Sequence, residues 1–80
     1  MENKVAIIAI IINDKTAVSR VNDLLHEYSE NIIGRMGVPY KERNINVISL
    51  VIDATVEKIN TLSGKLGMIN GVSSKVLVTK

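Results

Sequence analysis

The residues best suited to chemistry lie mid-chain, in Gly34-Arg35-Met36-Gly37-Val38-Pro39-Tyr40. A planar guanidinium can hold a carboxylate or phosphate by two parallel bonds. Glycine in a strand marks a bulge, an edge, or a place where another backbone or a ligand comes close. Arg35 is therefore the candidate anion partner, and Gly34 and Gly37 are the candidate close-approach points. The bland reading is a plain β-bulge on an edge strand. Lys41 and Arg43 follow shortly, and with Arg35 they could form an anion or nucleic-acid contact around a central hairpin. The stronger reading of that trio is a solvated, charged hairpin whose charges discourage edge-to-edge aggregation.

Other chemistry is excluded by residue type. The chain has no Cys and a single His, His26, which removes disulfides, thiol chemistry and any Cys- or His-rich metal site built from one chain. Asp23, Glu27 and Glu30 sit at helical spacing on a polar face, with nothing apolar beside them to raise a carboxylate pKa. No nucleophile has a base at matching spacing, so no catalytic residue, metal or cofactor is expected, and the protein is not expected to be an enzyme. A base-stacking platform for single-stranded RNA needs aromatic side chains on a sheet, and the chain has two Tyr and no Phe or Trp. A copper-chaperone relative needs a Cys-x-x-Cys pair. An acylphosphatase-like enzyme needs a glycine-rich turn after the first strand, where this chain has Asn13-Asp14-Lys15-Thr16. Ten basic against eight acidic residues give a net charge of +2, too small a bias to mark a nucleic-acid surface.

The elements that must position Arg35 are read from hydropathy period. Val5 to Ile12 is apolar throughout and predicts a strand buried on both faces, with Ala6, Ile8, Ile10 and Ile12 on one side and Val5, Ile7, Ala9 and Ile11 on the other. The run is too short for a membrane span of about 20 residues. Its β-branched content also argues against a signal-peptide core, so a cytoplasmic protein is expected. Asp14 or Thr16 can cap the following helix. Ala17 to Tyr28 then shows helical period, with Ala17, Val18, Val21, Leu24, Leu25 and Tyr28 in one stripe. His26 lies about 140° from the stripe centre and is expected to be solvated. Ile32 to Val38 predicts a weaker strand that Pro39 ends or confines to an edge, with Tyr40 to Asn44 as a polar loop. Ile45 to Ile52 is again apolar on both faces. Asp53-Ala54-Thr55 starts a second helix with Val56, Ile59, Leu62 and Leu66 as its stripe and Ser63 on the same face. Gly67 suits a left-handed helix end, Asn70-Gly71 signals a turn, and Val72 to Thr79 is a last strand with Val72, Val76 and Val78 on one face.

Strand, helix, strand, strand, helix, strand is the ferredoxin-like βαββαβ order, an α+β class. Right-handed crossovers put both helices on one face of a four-stranded antiparallel sheet, with the first and third strands central. Residues 1–80 are expected to form a single domain. Small domains often need oligomerisation to be stable. The central strands are apolar on both faces while helices cover only one, which leaves an apolar open face, unusual in a soluble monomer. A homo-oligomer, dimer or tetramer, is the expected answer. The alternative is an interaction module that docks on another protein through that face.

Ile32-Ile33-Gly34-Arg35-Met36-Gly37-Val38-Pro39-Tyr40, with His26-Glu27-Tyr28 upstream and Thr61-Leu62-Ser63-Gly64-Lys65-Leu66-Gly67 downstream, resembles a family of regulators of the iron-only hydrogenase system. These are stand-alone domains similar to ACT domains and to the C-terminal domain of the nickel-responsive repressor. The resemblance spans essentially the whole chain. It implies a ferredoxin-like, ACT-like fold, oligomerisation through sheets or edges, and sensing of a small anionic or amino-acid-like ligand. That repressor's nickel site uses several His and a Cys, which this chain lacks, so no metal site is carried over. Neither is its DNA-binding segment, so direct nucleic-acid binding is not expected and "transcriptional regulator" stands as the family's label. In ACT-like domains effectors bind where the loop after the first strand meets the second strand of a neighbouring subunit. Here the resemblance maps the loop to Asn13-Asp14-Lys15 and the strand to Gly34-Arg35-Met36, with Asn13, Asp14, Gly34, Arg35, Met36 and Gly37 as the candidate site residues.

Overall fold

The computed structural model describes residues 2–79. Its elements are β1 (Asn3–Ile12), a 3-10 turn (Lys15–Ala17), α1 (Val18–Glu27), β2 (Ile32–Tyr40), a second 3-10 turn (Lys41–Arg43), β3 (Ile45–Thr55), α2 (Val56–Gly67) and β4 (Val72–Val78). The sheet order is β2-β3-β1-β4, with every pairing antiparallel. The order and the central position of β1 and β3 are those expected from the sequence. No helix among the described residues is long and apolar enough to cross a membrane.

The alternation of β1 sorts its side chains as the pattern requires. Ala6, Ile8, Ile10 and Ile12 are buried beneath the helices, and Val5, Ile7 and Ile11 remain exposed on the other face. Register places Ile8 opposite Leu50 on β3 and Val76 on β4, and Ile7 opposite Val51 and Leu77. The core is completed by Val21 and Leu25 of α1 and by Ile59, Leu62 and Leu66 of α2, with Val18, Leu24 and Tyr28 packed at its margin. Ser63 and Ser74 close the α2–β4 contact: their hydroxyls lie 3.0 Å apart, and Ser74 donates to the Ser63 carbonyl at 2.9 Å. Short side chains let helix and strand approach there.

The 3-10 turn before α1 and the start of α2 each use a side-chain cap, while α1 itself has none. Asp14 accepts from the Thr16 amide at 3.0 Å and from its hydroxyl at 2.7 Å, and Thr55 accepts from the Lys58 amide at 3.2 Å. The Thr16 hydroxyl first, and its amide second, hold the Asp14 carboxyl below its ordinary value. A depressed folded-state pKa contributes stability above the ordinary carboxylate range, and that contribution is lost as pH falls through the lowered value. Melting temperatures of the protein and of Asp14→Asn are therefore expected to differ at neutral pH and to converge in strong acid. A difference independent of pH would contradict the cap.

Several local expectations need correction. β1 begins at Asn3, β3 runs on to Thr55, and Tyr40 is the last residue of β2, where a loop was expected. Pro39 lies within β2, tolerated because the strand is an edge. Val56 opens α2 and is 41% exposed, so it is not part of the buried stripe. Gly67 does not take the left-handed position. Met68 continues right-handed and Ile69 keeps a negative φ, with its amide bonded to the Leu66 carbonyl at 3.1 Å and its side chain buried in the core. The left-handed residue is Gly71, at φ +83.

Candidate functional site

β2 is the strand with least cover. Beyond Ile32 all of its residues are exposed. Register puts Arg35 opposite Leu50, Gly37 opposite Ile48 and Pro39 opposite Asn46, on the helix side; Gly34, Met36, Val38 and Tyr40 face the open side. A bulge between Ile32 and Gly34 sets this phase. The bulge reading therefore holds for Gly34 and not for Gly37, which pairs in regular register.

Neither glycine is required by its own fold. A Cβ on Gly34 would meet nothing within 4 Å, and one on Gly37 would reach only the Ile48 side chain at 4.0 Å. Neither has a positive φ. What the missing side chain does at Gly37 is leave space between β2 and α1.

That space is a cleft with two halves that share Asn22 and Arg35. The apolar half, about 200 Å³, is walled by Ile12, Val18, Gly37, Pro39 and Ile48, with Asn46 also among its lining residues. The polar half, about 270 Å³, is walled by Asn22, Leu25, His26, Ser29, Ile32 and Arg35. Between them the Arg35 Nη2 donates to the Asn22 Oδ1 at 2.9 Å, which fixes the guanidinium across the cleft. The one ion pair among the described residues is Lys4 with Glu2, so Arg35 has no carboxylate partner there. The acids of α1, Asp23 and Glu27, line a separate groove on the other flank of the helix with Lys65.

The six residues singled out from the sequence are not brought together within one chain. Arg35 and Gly37 share the cleft. Gly34 and Met36 face the open sheet, with Met36 at 64% exposure. Asn13 and Asp14 lie past the end of β1, where the Asn13 amide donates to the Gly71 carbonyl at 2.7 Å and Asp14 caps the 3-10 turn. The basic trio is also divided: six residues of strand at about 3.3 Å each put Lys41 about 20 Å from Arg35. Sequence reading did not single out Asn22 and Ser29. Their signal was present as Asn22 and His26 at i and i+4 on one flank of α1, with Ser29 just past its end. Among the described residues no group of three or more His, Cys, Asp or Glu could hold a metal ion.

The second face is the open side of the sheet. Val5, Ile7 and Ile11 of β1, Met36, Val38 and Tyr40 of β2, and Leu77 of β4 are exposed there, Ile7 at 43% and Leu77 at 72%. By register the charged residues of this face are Asp53, opposite Val5, and Lys75, opposite Ala9.

A four-stranded antiparallel sheet in this order, with two helices on one face and an uncovered β2, is the ACT-like form of the ferredoxin-like fold. The ACT domain of a GTP pyrophosphokinase from Chlorobium tepidum superposes with a TM-score of 0.81 at 23% identity, over 94% of this chain and 99% of that one. Residues 4–76 match the TM1266-like family, iron-only hydrogenase system regulators, and the chain belongs to that family. A solved member, an uncharacterised protein of Thermotoga maritima, is 40% identical with a TM-score of 0.94, over 99% of this chain and 100% of that one. The C-terminal domain of the MgtC protein of Mycobacterium tuberculosis shares the fold at 16% identity, with a TM-score of 0.70 over 95% of this chain and 87% of that one. No curated protein matches the chain.

Proposed function

We propose that this protein is a single-domain, cytoplasmic, non-enzymatic regulator that works as a homo-oligomer and senses a small anionic or amino-acid-like ligand, in the control of an iron-only hydrogenase system. The observation that carries the reading is the open sheet face. Seven large apolar side chains lie exposed on it, more contiguous apolar surface than a soluble monomer normally leaves in water. Its occupant in this reading is a second copy. The face carries one acid, Asp53, and one base, Lys75, so the same surface turned about a two-fold axis presents complementary charge on an apolar ground.

Assembly also bears on the ligand. Asn13 and Asp14 at one end, and Gly34, Arg35, Met36 and Gly37 on the uncovered strand, are separated within a chain and come together only if a neighbour's β2 meets the Asn13–Asp14 loop. Arg35 then serves as the anion partner, the glycines admit the neighbour or the ligand, and Asn13 and Asp14 supply polar contacts. Nucleic acid is not the partner in this reading, since Arg35 is turned into the cleft and away from Lys41 and Arg43.

Sedimentation equilibrium tests the assembly. Dimers or tetramers across the micromolar range are expected. A chain that stays monomeric throughout would refute the homo-oligomer and favour the alternative, a module that docks its open face on another protein.

A further inference from the structure

We infer that the α1–β2 cleft of each single chain is a binding site for a small amphiphilic carboxylate, held by Arg35 and His26 with its apolar body along Gly37. The inference rests on the ligand-sensing reading and gives it a ligand class and the part of the Arg35 site that one chain supplies.

Three observations converge on it. The first is the sorting of charge on α1. Its acids, Asp23 and Glu27, line one flank against Lys65 of α2. The other flank, toward β2, offers Asn22 and His26, with Ser29 just past the helix end and no carboxylate among the lining residues. An anion entering there meets donors and no like charge. The second is Arg35. A guanidinium has five donors, and one of its terminal nitrogens is engaged, at 2.9 Å, by the neutral Asn22 side chain. The bond orients the cation without neutralising it, so the remaining donors can take a carboxylate in bidentate geometry. Asn22 is accordingly a positioning residue for Arg35.

The third is polarity along the cleft. Beyond Arg35 the walls become Ile12, Val18, Pro39 and Ile48, with Asn46 as the one further polar residue, and the floor at Gly37 has no side chain. A Cβ at Gly37 would make only an ordinary contact, so the fold does not need the glycine; the cleft does. A polar end with a fixed cation and an apolar end kept open by a glycine together match a carboxylate bearing a short hydrocarbon body. A fully polar anion would leave the apolar end in water, and a neutral apolar molecule would leave Arg35 without a counter-charge.

Amide and side-chain NMR of the protein titrated with hexanoate tests the site, with hexan-1-ol and inorganic phosphate as partial probes. Hexanoate is expected to shift the Gly37 amide, the Asn22 side-chain amide and the Arg35 Nε, and to bind more tightly than either partial probe. Removing a charged hydrogen-bond partner in Arg35→Gln is expected to weaken hexanoate about tenfold to a hundredfold. Gly37→Val, which fills the apolar half with a residue suited to a strand, is expected to abolish binding while leaving the fold intact. Equal affinity for hexan-1-ol, undiminished binding in Arg35→Gln, or shifts confined to Val5, Ile7 and Leu77 on the open sheet would each overturn the cleft. If the protein as purified still carries a small molecule in Arg35→Gln, the cleft is wrong and the ligand-sensing reading survives.

Discussion

Gly71→Ala is expected to remove a large part of the folding stability. The residue sits at φ +83, and an added Cβ would lie 2.6 Å from the Asp14 Cβ and 3.3 Å from the Asp14 amide nitrogen. The left-handed conformation costs an alanine about 1–2 kcal/mol. Forcing a methyl group into filled space costs about 1–3 kcal/mol more. A chain of this length has a total stability of about 4–12 kcal/mol at the usual value per residue. The urea midpoint should fall by about 1 M or more. The clash is with backbone as well as with the Asp14 side chain, so repacking cannot relieve it cheaply. An unchanged midpoint would mean that the Asn13–Asp14 loop and the Gly71 turn do not pack as described. Because Asn13 is tied to the Gly71 carbonyl, the same variant should also loosen the loop that the proposed function gives to the ligand.

Ile7→Lys and Ile8→Ala should separate assembly from folding at adjacent positions. Ile8 is fully buried beneath the helices, and truncating a buried isoleucine costs about 2–5 kcal/mol. Ile7 faces the open sheet. A lysine there stays hydrated in the isolated chain and is expected to leave unfolding of the monomer within about 0.5 kcal/mol. In an assembly joined through this face the same lysine is a buried, unpaired charge, costing several kcal/mol. Association should weaken by about a hundredfold or more, since each 1.4 kcal/mol is a factor of ten. Sedimentation of the two variants checks this: Ile7→Lys should be a folded monomer and Ile8→Ala a less stable oligomer. An Ile7→Lys protein that assembles like the parent would remove the open face from the interface.

The framework was legible because its signals are local. β1 and β3 announce themselves by apolar residues at both parities, which only a central strand needs, and their position then follows from connection rules. The helix stripes and the caps at Asp14 and Thr55 are periodic or short-range features of the same kind. What could not be read depends on tertiary demand. Gly67 and Gly71 both suit a left-handed turn, and the choice between them is made by Ile69, which reaches the core only if the chain continues right-handed past Gly67. β2 was read short because a strand uncovered on both faces carries no burial pattern; its length follows from pairing with β3.

The candidate site was legible in part for the same reason. Arg35 and the glycines stand out by residue type alone. Periodicity measures how far His26 lies from the core stripe but not which flank of α1 meets β2, so its place beside Arg35 and Asn22 emerges only when the strand order is known. Asn13 and Asp14 came from family resemblance. Within one chain the fold employs them at the Gly71 turn and the cap of the 3-10 turn, away from Arg35.

In the proposed function the protein senses a small ligand as an assembly of its own copies. Native mass spectrometry of the protein purified without oxygen tests that most directly. The expected spectrum shows a dimer or tetramer carrying the additional mass of a non-covalent small molecule, and Arg35→Gln should retain the assembly while losing that mass. A bare monomer that remains bare and monomeric when mixed with a small-molecule extract of its own cells would contradict the account.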